Sequence, residues 1–230
     1  GKLYLEFGAY HTLAPEIQEA LGTSPTGQAQ IKQLAPYWRI AYQFEWGSNY
    51  LSVGHFGMFA PTYPGRITTA GQDKTLDLGL DAQYQYLGDR NDVTVLASVI
   101  YEHNNWHASM PLGNTSNKTG ELYAVNLTGS YLYDKTYGFK VGYFGTFGPA
   151  DATLYGTRTG SPDTQGYILQ ADWLPFNKSG GPSFWPMSNI KFSLQYIGYF
   201  EFDGAVSNYD GTGRNASDNN TLFLTMWLAF

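Results

Sequence analysis

Along almost the whole chain, apolar and polar residues trade places at every step, a period of two that few folds can satisfy. In YWRIAYQFEW (37–46), Trp38, Ile40, Tyr42, Phe44 and Trp46 alternate with Tyr37, Arg39, Ala41, Gln43 and Glu45. In TLDLGLDAQYQY (75–86), Leu76, Leu78, Leu80, Ala82, Tyr84 and Tyr86 alternate with Asp77, Gly79, Asp81, Gln83 and Gln85. Neighbouring side chains of an extended strand point to opposite faces, so each segment has one apolar face and one polar, charged face. Similar runs predict strands at 3–11, 50–59, 92–103, 121–133, 137–147, 165–174, 189–201 and 221–230. The chain thus has about ten strands, close to the ~9–11 residues a tilted strand needs to cross a bilayer. The 50–59 strand is the least regular, because His55 falls on the face otherwise defined by Leu51 and Val53.

Composition narrows the choice. Aromatic residues make up 17% and charged residues 14%, the latter well below the roughly 25% usual in soluble proteins. Mean hydropathy is negative, and no window approaches the ~20 apolar residues of a membrane helix. Polar on average, rich in aromatics and poor in charge is the composition of a barrel wall with one face to lipid and one to water. The net charge of -6 and the lack of a basic cluster exclude nucleic acid as a partner. The chain contains no cysteine, which excludes disulfides, Cys-ligated zinc and thioether attachment of haem within it. No basic stretch followed by an apolar one opens the chain, so a signal peptide is expected to have been removed or to lie outside it.

The connections alternate in length. GSN (47–49), GDRN (88–91) and DKT (134–136) are short and rich in turn formers. The links 12–34, 60–74, 104–120, 148–164 and 203–220 are long and polar, with a short helix expected at PEIQEAL (15–21). An intermediate link, 176–188, interrupts the short series. With the last strand running towards the periplasm, all long links fall on one side, as outer-membrane barrels require. A soluble lipocalin-like barrel or sandwich shares the alternation but not the aromatics near strand ends (Trp38, Trp46, Tyr84, Tyr86, Tyr131, Tyr133, Trp173). The expected fold is therefore all-β: one antiparallel transmembrane β-barrel domain over residues 1–230, in contact with the lipids of a bacterial outer membrane.

Four stretches carry a resemblance. APYWRIAYQFEWGSNYLSVGHFGMFAPTYPG (35–65), DLGLDAQYQYLGDRNDVTVLASVIYEHNNW (77–106), IKFSLQYIGYFEFDG (190–204) and SNYDGTGRNASDNNTLFLTMWLAF (207–230) resemble proteobacterial outer-membrane c-type cytochromes in which a short mono-haem segment is fused to a porin-like barrel. The resemblance implies that this chain is the C-terminal part of a larger barrel, of about 16 strands, a size that can leave an aqueous lumen. Taken alone, the residues equally permit a closed barrel of about ten strands. In the family the haem-binding C-x-x-C-H lies upstream, so no haem ligand carries over to this sequence. Haem c would come from an upstream segment or a cytochrome partner chain.

Three sets of residues are candidates for function. Glu6, Arg39, Glu45, Asp77, Asp81, Lys140, Asp172 and Lys191 alternate against the apolar positions of their strands, and with Gln43, Gln83, Gln85, Gln170 and Gln195 they predict a hydrated, mixed-charge lumen lining. Glu102, His103 and His107 in YEHNNWHA (101–108) have the chemistry of an acid–base or metal site, although Glu102 and His103 point to opposite faces. Asp210, Asp218, Asn219 and Asn220 offer oxygens to Ca²⁺, with a solvated loop the better reading. No serine-nucleophile signature is present. At the C-terminus, Met226, Leu228 and Phe230 end a lipid-facing strand and resemble the signal read by outer-membrane assembly machinery. The reading that follows is the porin portion of a cytochrome–porin electron-transfer protein. A passive diffusion channel for small polar solutes or ions is the alternative, and a barrel hydrolase the weaker one.

Overall fold

In the computed structural model, which describes residues 1–176 and 180–229, one antiparallel sheet dominates. Its strands are β1 (Lys2–Tyr10), β2 (Gln30–Ile31), β3 (Ala35–Trp46), β4 (Asn49–Tyr63), β5 (Asp73–Leu87), β6 (Asn91–Asn105), β7 (Thr119–Tyr133), β8 (Tyr137–Phe147), β9 (Thr164–Trp173), β10 (Asn189–Glu201) and β11 (Thr221–Ala229). All except β2, a two-residue addition to β4, lie side by side in chain order. β1 and β11 end the sheet, which does not close on itself. Among the described residues only two short α-helices occur, α1 (Pro15–Ala20) and α2 (Ala152–Tyr155). None of the helices is long and apolar enough to cross a membrane.

The register carries the alternation from strand to strand. Glu6 pairs with Arg39, Ala41 with Gly54, Gly54 with Asp81 and Asp81 with Ser98. The same polar row logic continues through Ser130 with Lys140, Lys140 with Gln170 and Gln170 with Gln195. Register shifts in the sheet at one place, between Tyr199 and Glu201 of β10. Apolar rows such as Leu5–Ile40, Val95–Gly129 and Leu194–Leu224 run across neighbouring strands in the same way, and two faces of different chemistry result.

The core sits where few proteins put it. Buried apolar residues among those described are small or few: Ala35, Ala41, Ala60, Ala108, Ala216 and Tyr209. The largest side chains that are fully buried are Asp73 and Ser188. Meanwhile the apolar face is bare, with Phe7 73%, Leu80 62% and Leu224 80% exposed. Tyr and Trp mark both ends of that face. Trp46, Tyr86, Tyr131, Tyr133 and Trp173 lie towards the short turns, and Trp38, Tyr101, Tyr123 and Tyr167 towards the long loops, with Val95, Val99, Leu127 and Val141 between. His55 lies on this face and is fully satisfied: its Nδ1 donates to the Gly79 carbonyl (2.9 Å) and its Nε2 accepts from the Trp38 indole (3.2 Å). That pairing explains how a histidine keeps the strand in register on an apolar surface.

Connections at one end are tight: 47–48, 88–90 and 134–136 join their strands, while 174–188 lies partly outside the described residues. At the other end the long loops fasten to one another in sequence order. Arg66, between β4 and β5, donates to the Pro25 carbonyl (3.2 Å) and Gln18 Oε1 (2.6 Å) of the β1–β3 connection. Asp73, at the start of β5, accepts from the amides of Ala108 (2.7 Å) and Ser109 (3.0 Å) in the β6–β7 loop. Asp151 of the β8–β9 loop accepts from Thr115 Oγ1 (2.5 Å) and the amides of Ser116 (2.9 Å) and Asn117 (2.8 Å), while capping α2 through Thr153 and Leu154. Arg158 then donates to the Asn208 carbonyl (2.7 Å), and Asp163 accepts from Gly204 (2.7 Å), which ties in the β10–β11 loop.

Burial works to raise the Asp151 carboxyl, but the hydrogen bonds from Thr115, Leu154, Ser116 and Asn117 outweigh it and hold the group well below the usual carboxylate range. A depressed value means that the ionised latch contributes stability above the ordinary range and loses it only as pH falls towards the lowered value. Limited proteolysis of the loops is accordingly expected to run at equal rates at pH 7 and pH 5. Asp151→Asn should accelerate cleavage within 106–118 and 148–163 roughly tenfold at pH 7, the effect of about 1.4 kcal/mol on a local opening equilibrium.

Candidate functional site

The polar face of the sheet is the place where chemistry is concentrated. Glu6, Arg39, Glu45, Asp77, Asp81, Lys140, Asp172 and Lys191 all lie on it by register, although they come from six different strands. They do not form one cluster. The face divides into a half on β1–β6, where Arg39–Asp81 and Lys2–Glu45 are matched but Asp77 faces Glu102, and a half on β8–β11 whose lysines form no ion pair among the described residues.

In the first half, Arg39 of β3 reaches across β4 to Asp81 of β5. Two parallel bonds form, Nη1 to Oδ2 (2.5 Å) and Nη2 to Oδ1 (2.7 Å), with the guanidinium carbon 5.9 Å from the Phe56 ring centroid. Such a fork is the strongest geometry available to an ion pair. It depends on Gly54 of the intervening strand: a Cβ there would stand 3.1 Å from Arg39 Nη2 and 3.2 Å from Asp81 Oδ1. Lys2 meets Glu45 at 3.3 Å, and the Tyr4 hydroxyl donates to Glu6 Oε2 at 3.0 Å. Nearer the long loops, Asp77 lies directly opposite Glu102, which accepts from Asn104 (2.5 Å).

In the second half, Lys140, Gln170, Lys191, Ser193, Phe223 and Trp227 line a groove of about 590 Å³. Asp172 is beside it but is spent on neutral donors, accepting from Gln170 Nε2 (2.8 Å) and Ser193 Oγ (2.5 Å). Gln195 donates in turn to Gln170 Oε1 (2.5 Å), so a relay of amides holds this carboxylate, while Asp92, across from the same lysines, is paired with Lys135. Among the described residues, neither Lys140 nor Lys191 forms an ion pair. Sequence pattern alone identified which face these residues occupy; it gave no sign of which charges find partners, because the partners lie one or two strands away.

The other constellations do not assemble. Glu102 lies on the polar face with Asp77, while His103 lies on the apolar face 3.8 Å from Glu121, and His107 stands in the following loop. The oxygens proposed for Ca²⁺ are committed elsewhere: Asp210 accepts from Thr212 and Arg214, Asp218 caps the Ala216–Asn219 turn, Asn219 Oδ1 accepts from Tyr209 and Arg214, and Asn220 Oδ1 accepts from the Tyr199 amide. Bonds from the Thr212 hydroxyl and amide hold the Asp210 carboxyl below its ordinary range. No group of three His, Asp or Glu suited to a metal ion occurs among the described residues. Met226 and Leu228 lie on the apolar face of β11, and Phe230 lies outside the described residues. No protein-family model, no curated protein and no solved structure matches the chain.

The Gly54 gap provides a direct test of the matched half. Gly54→Val is expected to part Arg39 from Asp81 and lower stability by roughly 2 kcal/mol or more, read as a shift of the denaturant midpoint. Arg39→Gln in the Gly54→Val background should then cost little beyond it, since the two changes remove one interaction.

Proposed function

We propose that the chain is the wall of an outer-membrane β-barrel, and that this barrel is the porin-like sleeve of a cytochrome–porin electron-transfer protein. One observation carries the membrane reading: the sheet is inside out, with bare apolar side chains on one face and buried groups that are mainly small or polar. An uncovered apolar face spanning ten strands far exceeds the few hundred Å² that a soluble monomer tolerates, and lipid is the solvent that suits it. Tyr and Trp at both ends of that face suit interfacial girdles. Hydrocarbon also leaves no water for unpaired backbone groups, so the reading requires the free edges of β1 and β11 to be paired in the membrane.

The electron-transfer part rests on the likeness of 35–65, 77–106, 190–204 and 207–230 to the fusion family. This chain's own residues do not fit covalent haem attachment, because it has no cysteine to form the thioether bonds. The haem therefore belongs to an upstream segment or a partner chain, and it alone would supply the redox chemistry. The residues described here would exclude lipid on one side and keep water and fixed charge on the other.

A second reading, a diffusion channel for small solutes or ions, is favoured by one feature: Lys140 and Lys191 face the groove and form no ion pair among the described residues. Fixed charge without a counter-charge biases which ions pass.

The full-length gene product is expected to stain for haem and to exceed the 25.6 kDa of this chain; a colourless protein would remove the cytochrome part and leave the wall. In planar bilayers, Lys140→Glu with Lys191→Glu should shift selectivity towards cations several-fold if the barrel conducts. A barrel that inserts without conducting overturns the channel reading.

A further inference from the structure

At the long-loop end of β5 and β6, on the apolar side of the sheet, Gly71, Gln72, Lys74, Asn105, His107 and Lys118 line a cavity of about 540 Å³. Strand register builds it: Lys74 pairs with Asn105, and Asn105 pairs with Thr119, the neighbour of Lys118. Gly71, with φ 92°, lets the loop backbone pass close to the His107 ring, where a Cβ would stand 3.4 Å from Cδ2.

Three basic side chains converge here without an acid among the described residues to match them. Lys74, Lys118 and His107 take part in no ion pair among the described residues. The carboxylates close by are engaged: Asp73 holds Ala108 and Ser109, and Glu121 lies 3.8 Å from His103 and accepts from Tyr101 (3.3 Å). Asp77 and Glu102 point to the opposite face. Gln72 and Asn105, which also line the cavity, each carry a carboxamide whose oxygen is buried without a hydrogen-bond partner among the described residues. A buried acceptor left unpaired is costly, so carboxamides that turn towards the cavity to meet a ligand's donor groups gain a bond at each oxygen.

A ligand that satisfies both sets carries anionic oxygens for the lysines and hydroxyl or amide N–H groups for the carboxamides. We propose that this cavity binds a phosphorylated sugar. Two sources share that chemistry, the phosphorylated sugar headgroup of an outer-leaflet glycolipid and a free sugar phosphate. The glycolipid source rests on the membrane reading above, in which the cavity lies just beyond Tyr101 and Tyr123 on the lipid side, at headgroup depth.

The test is calorimetric titration of the full chain in detergent with a bis-phosphorylated diglucosamine lipid, its dephosphorylated counterpart, and glucosamine 1-phosphate. The phosphorylated lipid is expected to bind, with affinity falling roughly tenfold in Lys74→Gln and again in Lys74→Gln/Lys118→Gln, since each change removes a charge-assisted bond. Lys140→Gln on the other face should leave it unchanged. Gln72→Ala should weaken sugar phosphate without weakening inorganic phosphate. Equal affinity for glucosamine 1-phosphate assigns the site to a soluble ligand; binding of the lipid alone assigns it to the membrane. Absence of binding to either, equal binding of the dephosphorylated lipid, or undiminished affinity in the double variant overturns the proposal. Insertion into vesicles reports on the barrel separately, so the cavity and the barrel can each fail alone.

Discussion

Backbone pairing is the constraint to which the rest of this molecule answers. Each strand from β1 to β11, the short β2 apart, is hydrogen-bonded to the next in chain order, and the register shifts only at Tyr199/Glu201. A slip of one residue in any strand would turn its apolar set to the polar face, so the alternation and the pairing enforce each other. Glycines are part of this constraint. Gly79 lies under the Phe56 ring and Gly57 under Trp38, so a large ring on one strand is accommodated by an absent side chain on the next.

Charge on the polar face follows the same geometry. Arg39 and Asp81 are two strands apart, and they meet because the residue between them has no side chain. Asp172 has lysines on neighbouring strands, yet Gln170 and Ser193 occupy it first. The result is a face whose matched charges rigidify one half and whose spare cations define the other. Ion pairs of this partly buried kind gain from a fork geometry because desolvation is compensated by two bonds at once.

Strand positions were legible in the sequence because the alternation is a local signal. β8 runs over 137–147 and β10 over 189–201, as the pattern predicts. Strand ends were less legible. β4 continues through Pro61 to Tyr63, where alternation has faded and proline argues for a break, because β2 and β5 pair with it there. The faces of Glu6, Arg39, Lys140 and Lys191 follow from parity alone. Their partners do not, since contact across a sheet depends on register, which a single strand does not encode. Asp73 and Asp151 fall in the long links 60–74 and 148–164, where no local pattern marks them, and the loop amides they hold across the sheet lie more than thirty positions away in the chain.

The chain of latches from Arg66 through Asp73 and Asp151 to Arg158 has an evolutionary corollary. Surface loops usually diverge one at a time, each free of its neighbours. Here a loop that changes length or loses its carboxylate strands the amides of the next, so viable variation has to come in adjacent pairs. Exchanging a single loop between related chains should therefore fail more often than exchanging two that touch.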